Sequence, residues 1–114
     1  MAERESERGT VTAELAIGLP AVVLVLVAVL TLTAASTAQM RALDAARAGA
    51  RAVAVGEQES VVVEVVARVG GSEAEMSLVH EGEWVRVTVT RPVAGGWAAG
   101  TLRATGVASA WVEP

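Results

Sequence analysis

Residues 15–38 read LAIGLPAVVLVLVAVLTLTAASTA. None of these 24 residues is charged, and most are Val, Leu or Ala. As a helix the run is about 36 Å long, enough to cross a hydrocarbon layer of ~30 Å. A core helix that is apolar all round would need protein on every side, and the rest of the chain is too short to supply it. The stretch is therefore read as a membrane span. In a chain of 114 residues that leaves room for one small domain besides the anchor.

Composition narrows the function classes. The chain is 53% hydrophobic, with a mean hydropathy of +0.48. Thirteen acids stand against nine bases, all of them arginine, for a net charge of −4. No basic patch points to nucleic acid. There is no cysteine, which excludes disulfides, thiolate metal sites, cysteine nucleophiles and a lipidated-cysteine anchor. His80 is the sole histidine, so no multi-histidine metal site is available. A secretory signal would have a basic head and a 7–15-residue apolar stretch. Here the head, MAERESERG, mixes Arg4 and Arg8 with Glu3, Glu5 and Glu7, and the apolar run is longer. Cleavage among the small residues near Ala38 is the weaker alternative, yielding a product that starts near Gln39.

Outward from the span, residues 1–9 form a charged leader ending in Gly9. The pattern predicts a long helix over 10–55, starting at Thr10 or Thr12, with its membrane part at 15–38. Met40, Leu43, Ala46 or Arg47, Ala50 and Val53 or Ala54 recur at helical spacing beyond the membrane. Gly56 is a stop signal. Pro20, with Gly18, should kink the first turns or free a carbonyl. Residues 56–114 are read as a small α+β domain. Val62, Val65, Val66 and Val69 mark one face of a short helix, although their β-branching keeps a strand open. Val85, Val87 and Val89 alternate with Arg86, Thr88 and Thr90 in a strand of period two. Glu81-Gly82 makes a turn from the preceding strand, and TLRATGVASAWVE forms a third. Trp84, Trp97 and Trp111 are read as the large anchors of this sheet's core, with an exposed contact as the alternative for Trp97. His80 is placed at the turn surface.

No catalytic constellation is present. Ser60, Ser72, Ser77 and Ser109 have no histidine in a recognisable arrangement, and VAGGWAAG lacks the Lys-Ser/Thr ending of a phosphate loop. The reading is of a protein without enzymatic activity, metal or cofactor.

Glu14 stands immediately before the uncharged run. A carboxylate inside the hydrocarbon costs at least ~2.5–3.5 kcal/mol on insertion scales. It either marks the interface, reaching up to headgroups, or has a function. Gly9 is followed by Thr10-Val11-Thr12-Ala13-Glu14, so a cut after Gly9 makes Glu14 the fifth residue of the product. A charged leader, a glycine, a glutamate at that place and then an apolar helix resemble the class III signal of type IV pilins. With the Ala/Arg-rich RALDAARAGARAVAVGE that follows, the pattern is similar to the TadE-like minor pilins of the tight-adherence system. The similarity covers about the first half of the chain.

That resemblance implies a structural subunit. A prepilin peptidase would cut between Gly9 and Thr10. Glu14 would then pair with the new amino group of a neighbouring subunit during filament assembly. The membrane, other pilin subunits, the peptidase and an assembly platform are the implied partners. The basic residues Arg41, Arg47 and Arg51 leave orientation open. The resemblance implies a cytoplasmic N-terminus and an extracytoplasmic domain. Two features depart from the pilin pattern, Thr10 where many pilins have an aromatic residue, and the early Pro20. The competing reading is an unprocessed, single-span anchored module that binds or regulates an envelope partner.

Overall fold

A computed structural model describes residues 2–93 and 102–112, with side chains from residue 7 onward; Trp97 and most of its glycine-rich surroundings lie outside the described residues. Five elements follow one another: α1 (Ala2–Ala54), α2 (Glu59–Gly70), β1 (Glu75–Glu81), β2 (Trp84–Pro92) and β3 (Arg103–Trp111). The α+β class agrees with the sequence reading. The molecule measures 87 × 22 × 17 Å because α1 extends well beyond the head that packs on its C-terminal part.

The long helix starts at Ala2 rather than at Thr10 or Thr12. Ala, Glu and Arg are strong helix formers, and acidic residues suit the positive end of a helix dipole. Gly9 costs only ~1 kcal/mol against alanine inside a helix, too little to stop it. The helix also continues through Pro20. Proline has no N–H, so the Ala16 carbonyl loses its usual partner. At the other end Gly56 takes φ 85°. Its N–H donates to the Val53 carbonyl (3.0 Å), and the Glu57 N–H donates to the Ala52 carbonyl (3.1 Å). This paired arrangement satisfies the last carbonyls and requires the left-handed glycine.

The three strands form an antiparallel sheet in the order β1-β2-β3. Gly82 (φ 65°) and Glu83 make the two-residue β1–β2 connection, and Glu81 pairs with Trp84 across it. Along β2, Val85, Val87 and Val89 point inward and are buried. α1 lies across β2 and β3, while α2 lies beside it toward β1. The main core joins Ala45, Ala46 and Ala50 of α1 to Val62 and Val66 of α2 and to Val87, Val89 and Ala110 of the sheet. A second cluster, nearer the apolar span, joins Ala38 and Ala42 to Val93 and Ala104.

The buried seam of α1 is thus made of small residues. Met40, one of the residues that recur at helical spacing, is 66% exposed. Close approach explains the exposure. A Cβ built at Gly106 of β3 would meet the Ala42 carbonyl group and the Leu43 nitrogen, so strand and helix backbones are in direct contact there. A long side chain has no room in such a seam.

The tryptophans correct a second expectation. Trp84 and Trp111 are 51% and 57% exposed, not core anchors. They sit opposite one another on β2 and β3, on the face turned away from α1, with ring centroids 5.9 Å apart. The physical reason is the period of two: if Val85, Val87 and Val89 point inward, Trp84 must point outward. The valines carry the core. Val87→Ala is therefore expected to cost about 2–3 kcal/mol, and Trp84→Ala under ~1 kcal/mol. Hydrogen exchange of the β2–β3 ladder in the micelle-solubilised chain measures both. Equal losses would mean that the outer face carries stability.

Candidate membrane and assembly site

The candidate residues lie on one exposed stretch of helix. Gly9, Thr10 and Glu14 all belong to α1 and all are exposed. Thr10 and Glu14 are four apart, which places them on one face, about 6 Å apart along the axis. Glu7, Thr10, Val11 and Glu14 border a shallow groove on that face. The Gly9–Thr10 peptide itself has helical geometry.

Above Glu14 the helix offers an uninterrupted apolar surface. None of the most hydropathic 18-residue window is buried against the rest of the chain. Leu24, for example, is 71% exposed. An apolar surface of this extent needs lipid or other apolar helices around it. The threonine hydroxyls in this surface are accounted for internally. Thr31 donates to the Val27 carbonyl (2.8 Å), Thr33 to that of Val29 (2.9 Å) and Thr37 to that of Thr33 (3.0 Å). Back-bonding of this kind lowers the cost of placing threonine in hydrocarbon. Length and apolarity together describe a membrane-anchoring helix.

The head adds residues that sequence reasoning missed. Gln39 grips the outer edge of β3. Its side-chain Nε2 donates to the Thr105 carbonyl (2.6 Å), and the Thr105 N–H donates back to Oε1 (3.3 Å). The amide acts as one residue of an absent fourth strand. Arg91 occupies the inward position of β2 beyond Val89, where its Nε and Nη1 are shut off from solvent. A glycine inside a strand pattern often marks close backbone approach, and that signal was available for Gly106. Nothing in the sequence alone brings Gln39 to Thr105, 66 positions away.

His80 lies on β1, paired with Val85, rather than in the turn itself. Among the described residues no three His, Asp or Glu side chains gather where a metal ion could sit.

Comparison with known proteins bears on the helix. Residues 9–51 match the family model described as TadE-like protein, a segment shorter than half the chain. It starts at Gly9, contains Glu14 and the whole apolar run, and ends within the alanine seam. The resemblance read from the sequence is thereby supported for the N-terminal helix, which is TadE-like. No curated protein and no solved structure gives a significant match.

Proposed function

We propose that this chain, TadE-like over residues 9–51, is a minor pilin that a prepilin peptidase processes and that joins or primes a tight-adherence pilus. The observation that carries the reading is one helix with three parts in order. Gly9–Thr10 comes first, Glu14 follows one turn later, and then comes an uncharged span whose most apolar 18 residues are not buried within the chain. Cutting after Gly9 removes residues 1–9 and leaves an ammonium group on Thr10. In a bundle of parallel helices Glu14 of one subunit accepts hydrogen bonds from that group on the next. The 6 Å axial separation on one chain sets the stagger: neighbours offset by about that amount bring the two charges level. The apolar span exchanges lipid contacts for helix contacts at little cost, because both environments are apolar.

The head supports a minor rather than a bulk subunit. It carries a folded sheet with two exposed tryptophans at the end far from the span, a form suited to a tip or an initiating position. In this reading the N-terminus is cytoplasmic before processing and the head is extracytoplasmic. Its partners are other pilin subunits, the peptidase and an assembly platform. The protein is structural, without catalysis or cofactor.

One observation favours the anchored-module alternative: the Gly9–Thr10 bond lies inside a helix, and peptidases act on extended backbone. The pilin reading requires this turn to unwind in the peptidase. Intact mass and N-terminal sequencing of the chain from its host membrane decide between them. The expected product begins Thr-Val-Thr-Ala-Glu only when the peptidase is present. Gly9→Leu is expected to leave the leader attached. A full-length chain in the presence of active peptidase would leave the anchored module standing.

A further inference from the structure

At the junction of span and head, Ala34, Thr37, Ala38 and Arg41 of α1 and Arg91 of β2 line a cavity of about 230 Å³. Its chemistry is one-sided. Ala34 and Ala38 form an apolar floor. The Thr37 hydroxyl proton is already committed to the Thr33 carbonyl. The remaining polar groups are two guanidiniums. Arg91 is half-buried, and its Nε and Nη1 are both secluded from solvent and, among the described residues, without a hydrogen-bond partner. Among the described residues, the head's ion pairs, Arg86–Glu81 and Arg103–Glu75, involve neither Arg41 nor Arg91. Two secluded N–H donors without a partner are costly, and on a positively charged guanidinium an anion satisfies them best.

The depth of the cavity selects the anion. A hydrocarbon layer of ~30 Å takes about twenty helical residues, and counting from Leu15 that layer ends near Ala34. The apolar floor therefore sits where acyl chains meet headgroups, and the guanidiniums sit at the level of phosphates. Arginine binds phosphate through paired N–H donors in a planar fork. Basic pockets at this depth recognise lipid headgroups. The cavity is smaller than the ~300–1,000 Å³ of ordinary ligand clefts, so it suits a headgroup rather than a large ligand.

We infer that Arg41 and Arg91 form a binding site for the phosphate of an anionic phospholipid, which docks the head against the membrane surface. The inference rests on the helix being a membrane anchor and is independent of processing at Gly9. The site gives the head a preferred seat on the bilayer, and leaving the membrane breaks it.

The test uses the full chain in neutral maltoside micelles, with thermal unfolding of the head and native mass spectrometry as readouts. Phosphatidylglycerol, phosphatidylcholine and inorganic phosphate are added separately. Phosphatidylglycerol at a hundredfold excess over its Kd should raise the Tm by on the order of 10 °C and remain bound in the gas phase. Phosphatidylcholine should do neither. Arg91→Met should abolish the shift while unfolding no earlier than the parent in lipid-free micelles, because it removes two buried, unpartnered donors. Arg41→Gln, at an exposed position, should weaken the shift without disturbing the fold. Arg51→Gln, outside the cavity, should leave it intact. Equal effects of the two lipids, or an undiminished shift in both cavity variants, would overturn the site. A full shift from inorganic phosphate alone would overturn lipid as the source of the anion.

Discussion

Gly106→Ala is expected to open the head from the helix. The added methyl would occupy the place of the Ala42 carbonyl group and the Leu43 nitrogen. Backbone atoms inside a helix cannot swing aside as a side-chain tip does, so β3 must lift. Lifting it separates Ala104 and Val93 from Ala38 and Ala42, and pulls Thr105 from the Gln39 amide. Overpacking of this kind costs about 3 kcal/mol or more. A head of this size has on the order of 5 kcal/mol in total. The substitution should therefore leave the head largely unfolded at 37 °C while the apolar helix persists. Gly49 gives the internal comparison. A Cβ there meets Val66 Cγ2 at 2.8 Å and Val87 Cγ1 at 3.2 Å, which are side-chain ends that can move. Gly49→Ala should cost clearly less. Hydrogen exchange of β3 amides in micelles measures both, and near-native protection in Gly106→Ala would refute the direct backbone contact.

Glu14→Val should abolish or strongly reduce incorporation into filaments while membrane insertion is kept. Valine extends the apolar run, so insertion becomes easier. In the assembled bundle, however, the ammonium group of a neighbour's Thr10 would be buried without its partner. Removing one member of a buried ion pair costs ~3–5 kcal/mol, equivalent to a loss of about 10²–10⁴-fold in subunit affinity. Glu14→Gln keeps the size and hydrogen-bonding capacity but not the charge, and should fall between. The measurement is the amount of chain in sheared surface filaments relative to the membrane fraction. Wild-type incorporation of Glu14→Val would remove the assembly role from this carboxylate.

Much of this architecture is legible in the chain because its strongest signals are local. A long uncharged run, a period of two in Val85–Val89 and a glycine at position 56 each report on a few neighbouring residues, and the structure keeps all three. The short helix was harder, since its valines fit either element, yet Val62 and Val66 do form its buried face. What failed was inference about which side chains meet. Size suggested that the tryptophans fill the core, whereas the alternation of β2 already assigned Trp84 to the other face. Helical spacing groups Met40 with Leu43 and Ala50, but it cannot show that the sheet approaches closely enough to admit only alanine and glycine. The start of α1 is not legible from the chain, because a polar leader ending in glycine looks like a boundary although its composition favours helix. Of the candidate site, Glu14 and Gly9 stand out by order and spacing. Arg91 does not, because its seclusion depends on α1 crossing the sheet.

The unbroken course of α1 makes the chain a keyed shaft rather than a tether. Each helical residue turns about 100°. Between Glu14 and Ala38, where the head begins to grip, the helix completes about six and two-thirds revolutions. The bearing of the head around the axis is therefore set relative to the carboxylate, offset by roughly a third of a turn. Whatever neighbour Glu14 selects, that choice also dictates the compass direction of the tryptophan pair. Adding or deleting one residue within the span would change its length by only about 1.5 Å, yet swing the head by more than a quarter of a circle. For this chain the residue count between anchor and head is a setting of angle before it is a setting of thickness.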